Sequence, residues 1–309
     1  MSRRAARLGD VGRRRFLLAA LAAAGPGGRG IAGDLDIIDA HVHVWTRDVK
    51  FPFATKSTTS PPDRDAAPET LLGLMQANHV KKAVLVQVSH HGFDHSFLID
   101  VLRRHPGRFV AMARVDPEDP AAPDTLTTLT KEHGFRGLRL NVQPDPAFDW
   151  VKGPRAAALF KRCAELKIPI GLQTKGPRLV DLIPICEKEP ELTVIIDHFA
   201  DIPLEDKASW AKLIELGKRP RTYVKLSHTW VIAKSKYPYS DALAFAQRIY
   251  DAFGPERLLY GSDWPIVEKY TSYASTIALV RDEMKFLRAK EKDLVFRGNA
   301  LRIWPPLAA

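Results

Sequence analysis

The sequence predicts a single-domain α/β fold, a (β/α)8 TIM barrel. Short runs rich in Val, Ile and Leu recur along the chain, and each is followed by a longer segment of helical periodicity. Residues 34–309 span about the length that eight such units require. No glycine-rich phosphate-binding turn follows the first run, which disfavours an open doubly wound sheet.

The eight predicted strands cover residues 35–44, 82–89, 108–115, 135–142, 168–174, 192–199, 222–229 and 257–264. Helices are predicted between them, most clearly in PETLLGLMQANH, GPRAAALFKRCAEL, DALAFAQRIYDAF and YASTIALVRDEMKFL. The run 46–67 is too long and too rich in Pro, Ser and Thr for an ordinary strand-to-helix connection. It is either a lid over the carboxyl end of the barrel or a disordered loop, and we favour the lid.

Residues 1–33 are predicted to be a twin-arginine export signal with a flexible linker, which leaves 34–309 for the barrel. Paired arginines, Arg13 and Arg14, precede a short apolar run that ends near Ala24. That run is too short to cross a bilayer, and no later segment is a candidate span. We therefore expect a partner in the export machinery and a periplasmic or otherwise exported protein.

The net charge of +10 is concentrated in this first segment, which holds seven arginines and one acidic residue. The rest of the chain carries 39 basic and 35 acidic residues, so the excess charge gives little reason to expect nucleic-acid binding. The two cysteines, Cys163 and Cys186, lack CxxC spacing and predict free thiols rather than a disulfide framework.

Histidines concentrate where a barrel would place its active site. Catalytic groups lie at the carboxyl ends of barrel strands, and DIIDAHVHVW places His41 and His43 there, two residues apart and on one face. Two imidazoles suit a divalent metal ion or a carbonyl oxygen that needs hydrogen-bond donors, although an HxH pair alone also fits core filling. His198 on the sixth strand and Asp263 on the eighth strand, which neighbours the first in a closed barrel, favour a site.

Four segments, DIIDAHVHVW, GFRGLRLN, VIIDHFA and PERLLYGSDWP, resemble in order and spacing the amidohydrolase-related (amidohydrolase 2) family of TIM-barrel hydrolases. The likeness is closest to its lactonase branch of sugar lactonases and pyrone-dicarboxylate lactonase, and extends over about residues 34–304. The resemblance implies hydrolysis as the commonest activity, with some decarboxylases and hydratases. It implies that Asp263 is the general base, while His41, His43 and His198 bind a metal or polarise the scissile carbonyl.

The chain also departs from this pattern. Metal-dependent relatives usually add a histidine on the fifth strand, and binuclear ones add a lysine or carboxylate on the fourth, where this chain has Gln173 and Arg139. An amide is a poor zinc ligand and an arginine cannot bridge cations, so we expect no binuclear centre. One divalent metal, zinc or manganese, on His41, His43 and Asp263 is one alternative, and a metal-independent site like that of the pyrone-lactonase branch is the other.

Several further residues are candidates for substrate binding. Arg139 presents a planar fork suited to a carboxylate, although it could instead pair with an internal acid and brace the barrel. Lys225 and His228 on the seventh strand, Gln173 on the fifth and His91 after the second complete this set.

We therefore expect a hydrolase of a small, anionic carboxylic ester or lactone, with that small molecule as its partner. A mononuclear metal-dependent decarboxylase or amide hydrolase on the same barrel is an alternative. A non-catalytic periplasmic barrel that binds a small molecule is a second, which the water-activating Asp263 disfavours.

Overall fold

The computed structural model describes residues 36–55, 60–143 and 146–308. Within them, eight parallel strands pair in chain order from β1 to β8. Their bounds are Ile37–Val42 (β1), Val80–Val86 (β2), Phe109–Ala113 (β3), Phe135–Val142 (β4), Ile170–Thr174 (β5), Val194–Ile196 (β6), Thr222–Lys225 (β7) and Leu258–Leu259 (β8). The backbone after β8 returns to β1, where the Asp263 amide donates to the His41 carbonyl at 2.9 Å. The predicted (β/α)8 barrel is confirmed.

Helices follow the strands on the outside of the barrel. Their bounds are Pro68–Ala77 (α1), Ser96–Arg104 (α2), Ala122–Glu132 (α3), Pro154–Glu165 (α4), Leu182–Lys188 (α5), Lys207–Leu216 (α6), Thr229–Ile232 (α7), Ser240–Phe253 (α8), Tyr273–Ala278 (α9), Ala289–Asp293 (α10) and Asn299–Ile303 (α11). No helix of the described segments is long and apolar enough to cross a membrane. Residues 1–35 lie outside the described part, so the export signal and the boundary at residue 33 stay predictions.

The interior of the barrel below the carboxyl end is filled with apolar side chains. Inward residues of the strands form one buried cluster, which includes Met112 and is joined by Trp304 from the C-terminal region. Gly137 and Gly171 make room for Met112, because a Cβ at either position would lie 3.0 Å from its Cε. Since this floor is packed, polar chemistry is confined to the carboxyl mouth.

Several predicted strands are too long at their carboxyl ends, among them the last three. The sixth, seventh and eighth were expected to reach residues 199, 229 and 264, but β6, β7 and β8 end at Ile196, Lys225 and Leu259. The backbone enters the left-handed region soon afterwards, at His198 and His228, and such a residue cannot continue a strand. The predictions were wrong there because apolar patterning does not register this change of backbone direction.

The segment 46–67 lies against the connection that follows β2, as far as residues 46–55 and 60–67 describe it. The Ala54 amide donates to the His90 carbonyl at 2.7 Å, and Trp45 and Ala66 form an antiparallel bridge across the base of the segment. Its function as a lid stays a prediction. Cys163 and Cys186 are both free thiols, as expected.

Candidate active site

An irregularity in β1 places both histidines of the HxH pair in the site. Ile38 and Ala40 belong to the apolar interior, so strict alternation would turn His41 and His43 outward. The pairing register with β2 shifts between Asp39 and Val42, which reverses the alternation. His41 and His43 are both buried, and their Nε2 atoms lie 3.2 Å apart.

The site residues that follow β6, β7 and β8 adopt left-handed backbone conformations. His198 after β6, His228 after β7 and Asp263 after β8 have φ values of 57°, 62° and 57°. Non-glycine residues seldom adopt this region, and such strain concentrates at functional sites. The three side chains meet, because the His198 and His228 rings stack at 3.7 Å and both residues lie beside Asp263.

The centre of the site is a triangle of three ligand-type atoms. Asp263 Oδ1 lies 3.2 Å from His43 Nε2 and 3.5 Å from His41 Nε2, and it accepts no hydrogen bond from the described residues. His43 Nδ1 lies 2.7 Å from the Val86 carbonyl, which only accepts, so in neutral His43 the proton is on Nδ1 and Nε2 carries a lone pair. A carboxylate oxygen and an imidazole lone pair therefore face one another, and a proton or a metal ion between them would stabilise this arrangement.

The triangle fits one divalent metal ion. Ligand atoms about 2.1 Å from a tetrahedral zinc lie about 3.4 Å apart, close to the distances that separate these three atoms. Two imidazoles and one carboxylate are also a ligand set that zinc and manganese accept. His41, His43 and Asp263 can therefore hold the single metal that was one of the two alternatives drawn from the sequence. Gln173 and Arg139 offer no second carboxylate or imidazole.

The opposite edge of His41 contacts a buried ion pair. Lys225 Nζ lies 2.8 Å from His41 Nδ1 and 2.9 Å from Asp197 Oδ1, and neither Lys225 nor Asp197 is accessible to solvent. Burial raises the pKa of Asp197, but the surrounding polar and charged groups, with Lys225 the largest contributor, together outweigh it and hold that pKa well below its usual range. Burial and the Lys225 charge lower the pKa of His41 to about 3, so His41 is neutral at pH 7.

Lys225 also determines which nitrogen of His41 carries the proton. An ammonium group has only donors, so Lys225 donates to His41 Nδ1, and the proton of the neutral ring is on Nε2. To ligate a metal through Nε2, His41 would have to adopt the other tautomer and direct its Nδ1 proton toward Asp197 Oδ1, which lies 3.5 Å away. The predicted substrate-binding role of Lys225 stays a prediction.

His228 joins two carboxylates. Its Nε2 donates to Asp263 Oδ2 at 2.7 Å and its Nδ1 donates to Asp201 Oδ1 at 2.6 Å. Burial disfavours the charged ring, but the hydrogen bonds to Asp201 and Asp263 prevail and raise the pKa of His228 to about 9. His228 is therefore an imidazolium at neutral pH and holds one oxygen of Asp263 while leaving the other free.

His198 completes the polar cluster beneath the triangle. Its Nδ1 lies 2.7 Å from Ser227 Oγ and its Nε2 lies 4.0 Å from Asp263 Oδ1. Burial, together with the charge of His228, lowers the pKa of His198 well below its usual range, so the ring is neutral. It packs on His41, with ring centroids 4.5 Å apart.

The remaining predicted substrate-binding residues lie farther from the triangle. Arg139 donates to the Gln173 side chain, and its Nε lies 3.6 Å from Asp197 Oδ2, which matches the bracing role considered as its alternative. His91 is buried beside Phe53 and Phe97, and its Nδ1 lies 3.4 Å from the Pro52 carbonyl. The structure does not bring His91 to the triangle, and the roles of these residues in binding stay predictions.

Sequence reasoning missed two acidic residues, Asp197 and Asp201. Both belong to the segment that follows β6, where residues 198–201 have four consecutive positive φ values between 44° and 57°. Asp197 precedes His198 in the motif VIIDHFA, so adjacency to a predicted site residue was a usable signal. Asp201 could not be found in this way, because its contact with His228 depends on how the left-handed segment turns.

Comparison with known proteins agrees with this geometry. The amidohydrolase family model matches residues 38–305. An L-fucono-1,5-lactonase of Burkholderia ambifaria is 27% identical over 86% of this chain and 94% of its own length. A 4-sulfomuconolactone hydrolase of Rhizobium radiobacter is 30% identical over 74% of this chain and 75% of its own. The crystal structure of a zinc-bound amidohydrolase of Burkholderia multivorans superposes with a TM-score of 0.73 at 23% identity, over 87% of this chain and 99% of that one. The chain belongs to the amidohydrolase family, as its four motifs predicted.

Proposed function

We propose that this protein hydrolyses a small lactone or related carboxylic ester. The observation that carries the proposal is the free oxygen of Asp263, which faces two histidine nitrogens while its other oxygen is held by His228. The two relatives compared above support the reaction class, since one is named a lactonase and the other a lactone hydrolase. One is named for a sugar lactone and the other for a sulfonated lactone, so their names leave the charge of the substrate open.

Asp263 acts as the general base. Its Oδ1 accepts a proton from water as the water oxygen bonds to the lactone carbonyl carbon. Collapse of the tetrahedral intermediate breaks the ring C–O bond, and the proton on Oδ1 passes to the departing alkoxide, which gives a hydroxy acid. His228 keeps Oδ2 engaged throughout, so the free oxygen remains directed at the water.

His41 and His43 have different roles because their protons are on different nitrogens. His41 carries its proton on Nε2 and can donate it to the oxyanion, whereas neutral His43 presents a lone pair that can orient the attacking water. His198 Nε2 adds a polar group beneath them. When a metal ion is bound by His41, His43 and Asp263, it would supply Lewis-acid polarisation of the carbonyl and a lower pKa for water.

The test is the Asp263→Asn variant, assayed on a panel of lactones before and after treatment with chelator. We expect kcat to fall by at least about 10³-fold while the circular dichroism spectrum stays that of the wild type, because the amide cannot accept the proton. Lactone hydrolysis that is undiminished in Asp263→Asn would refute the proposal.

The metal-ligand triangle favours a second candidate on the same barrel, a mononuclear metal-dependent decarboxylase or amide hydrolase. It requires one tightly bound zinc or manganese per chain and loss of activity on chelation. Release of carbon dioxide from an aromatic acid, or amide cleavage without lactone hydrolysis, would favour this candidate over the first.

We further propose that the protein is exported through the twin-arginine pathway to the periplasm. The support is the sequence of residues 1–33, with Arg13 and Arg14 before a short apolar run. Cell fractionation of the full chain and of the paired Arg13→Lys, Arg14→Lys variant tests it. Equal distribution of both proteins would contradict export by this route.

A further inference from the structure

Two arginines lie on neighbouring strands, Arg114 directly after the end of β3 and Arg139 within β4. Ala113 of β3 pairs with Leu138 of β4, so Arg114 and Arg139 follow at the same level of the barrel. Val110 and Met112 belong to the apolar interior, and by alternation Arg114 faces the same side as they do. Arg139 also faces inward, as its contact with Gln173 shows. The two guanidinium groups therefore share one wall of the mouth.

The electrostatic interactions of Arg114 agree with this placement. Burial and the charge of Arg139 lower the pKa of Arg114 to about 10. Burial is the main cause that lowers the pKa of His90 to about 4, and the neighbouring His43, His91 and Arg114 contribute to that shift. Arg114 is therefore close to both Arg139 and His90.

The two arginines differ in their partners. Arg139 contacts Gln173 and the Asp197 carboxylate. Within the part of the chain that the structure describes, Arg114 forms no ion pair with a carboxylate and its guanidinium donates no hydrogen bond to another group. A half-buried guanidinium next to a second one is stabilised by an anion, and its five donors form a fork that matches a carboxylate or sulfonate.

We infer that Arg114, with Arg139, binds an acid group of the substrate and makes the enzyme selective for lactones that carry a carboxylate or sulfonate. This inference rests on the proposed function and narrows its substrate class. β3 and β4 lie across the barrel from the β1–β8 seam that holds the triangle, so the acid group would bind on the wall opposite the scissile carbonyl.

The test compares two six-membered lactones that differ only in a ring substituent, a carboxylate or a carboxamide. We expect the wild type to have a higher kcat/KM for the carboxylate lactone than for the carboxamide lactone. The ratio of these two values should fall about 10- to 100-fold in Arg114→Gln, because the variant loses a charged hydrogen bond to the carboxylate. Arg114→Lys should retain part of the preference. Arg103→Gln removes an exposed positive charge from α2 and should leave the ratio unchanged.

Binding of glutarate separates this inference from the proposed function. Calorimetry of glutarate, with neutral glutaramide as control, should show binding to the wild type and at least about tenfold weaker binding to Arg114→Gln. If no lactone is hydrolysed but glutarate binding depends on Arg114, the proposed function fails and the anion site stands. If lactones are hydrolysed without a preference for the carboxylate, or Arg114→Gln binds glutarate as well as the wild type does, the inference is overturned.

Discussion

The protonated state of His228 should make the stability of this barrel fall with rising pH. His228 is buried between Asp201 and Asp263, and its pKa is raised from 6.5 to about 9. Between these two values the folded protein holds a proton that the unfolded chain has lost. The stabilisation is therefore complete below about pH 6.5 and is lost as the pH rises through about 9.

The magnitude follows from the two pKa values. Each pKa unit corresponds to about 1.4 kcal/mol, so the shift of His228 contributes about 3 kcal/mol to the free energy of unfolding at pH 6. Lys225 has the opposite effect, since burial lowers its pKa and its deprotonation in the folded state stabilises the protein as the pH rises. The comparison must therefore be made against a variant that lacks only the His228 proton.

His228→Gln is that variant, because its amide retains a donor for Asp263 but cannot ionise. Urea denaturation of both proteins, freed of metal by chelator, would be measured from pH 6 to pH 10. We expect the wild type to be more stable at pH 6 and its advantage to shrink by about 3 kcal/mol by pH 10. Two stability curves that stay parallel within about 0.5 kcal/mol over this range would refute the assignment of a charged His228.

Two further substitutions test the supports of the site. Lys225→Met leaves Asp197 buried without its ammonium partner, so we expect the free energy of unfolding to fall by about 3–5 kcal/mol in denaturant titrations. A change below about 1 kcal/mol would contradict the ion pair. Gly261→Ala places a Cβ 2.8 Å from the His41 Cβ, so we expect stability to fall by about 1–3 kcal/mol and kcat to fall because His41 is displaced. A wild-type kcat would show that β1 shifts to accommodate the methyl group without disturbing the site.

The architecture and half of the site follow from local sequence patterns. Alternating apolar runs and helical periods depend on neighbours a few residues apart, so the barrel could be predicted, and with it the placement of His41, His198 and Asp263 at its carboxyl end. Because parallel strands of a barrel all end at one mouth, the convergence of these residues followed from the fold class alone.

The partners of these residues were decided by the tertiary structure. The register shift in β1 and the left-handed conformations at His198, His228 and Asp263 depend on barrel closure, which no local pattern encodes. Lys225 was expected to meet substrate, yet its ammonium contacts His41 and Asp197, residues far away in the chain. Such long-range contacts determine which oxygen of a carboxylate is free and which nitrogen of a histidine carries a proton. These two properties in turn determine whether the HxH pair binds water, a carbonyl oxygen or a metal ion.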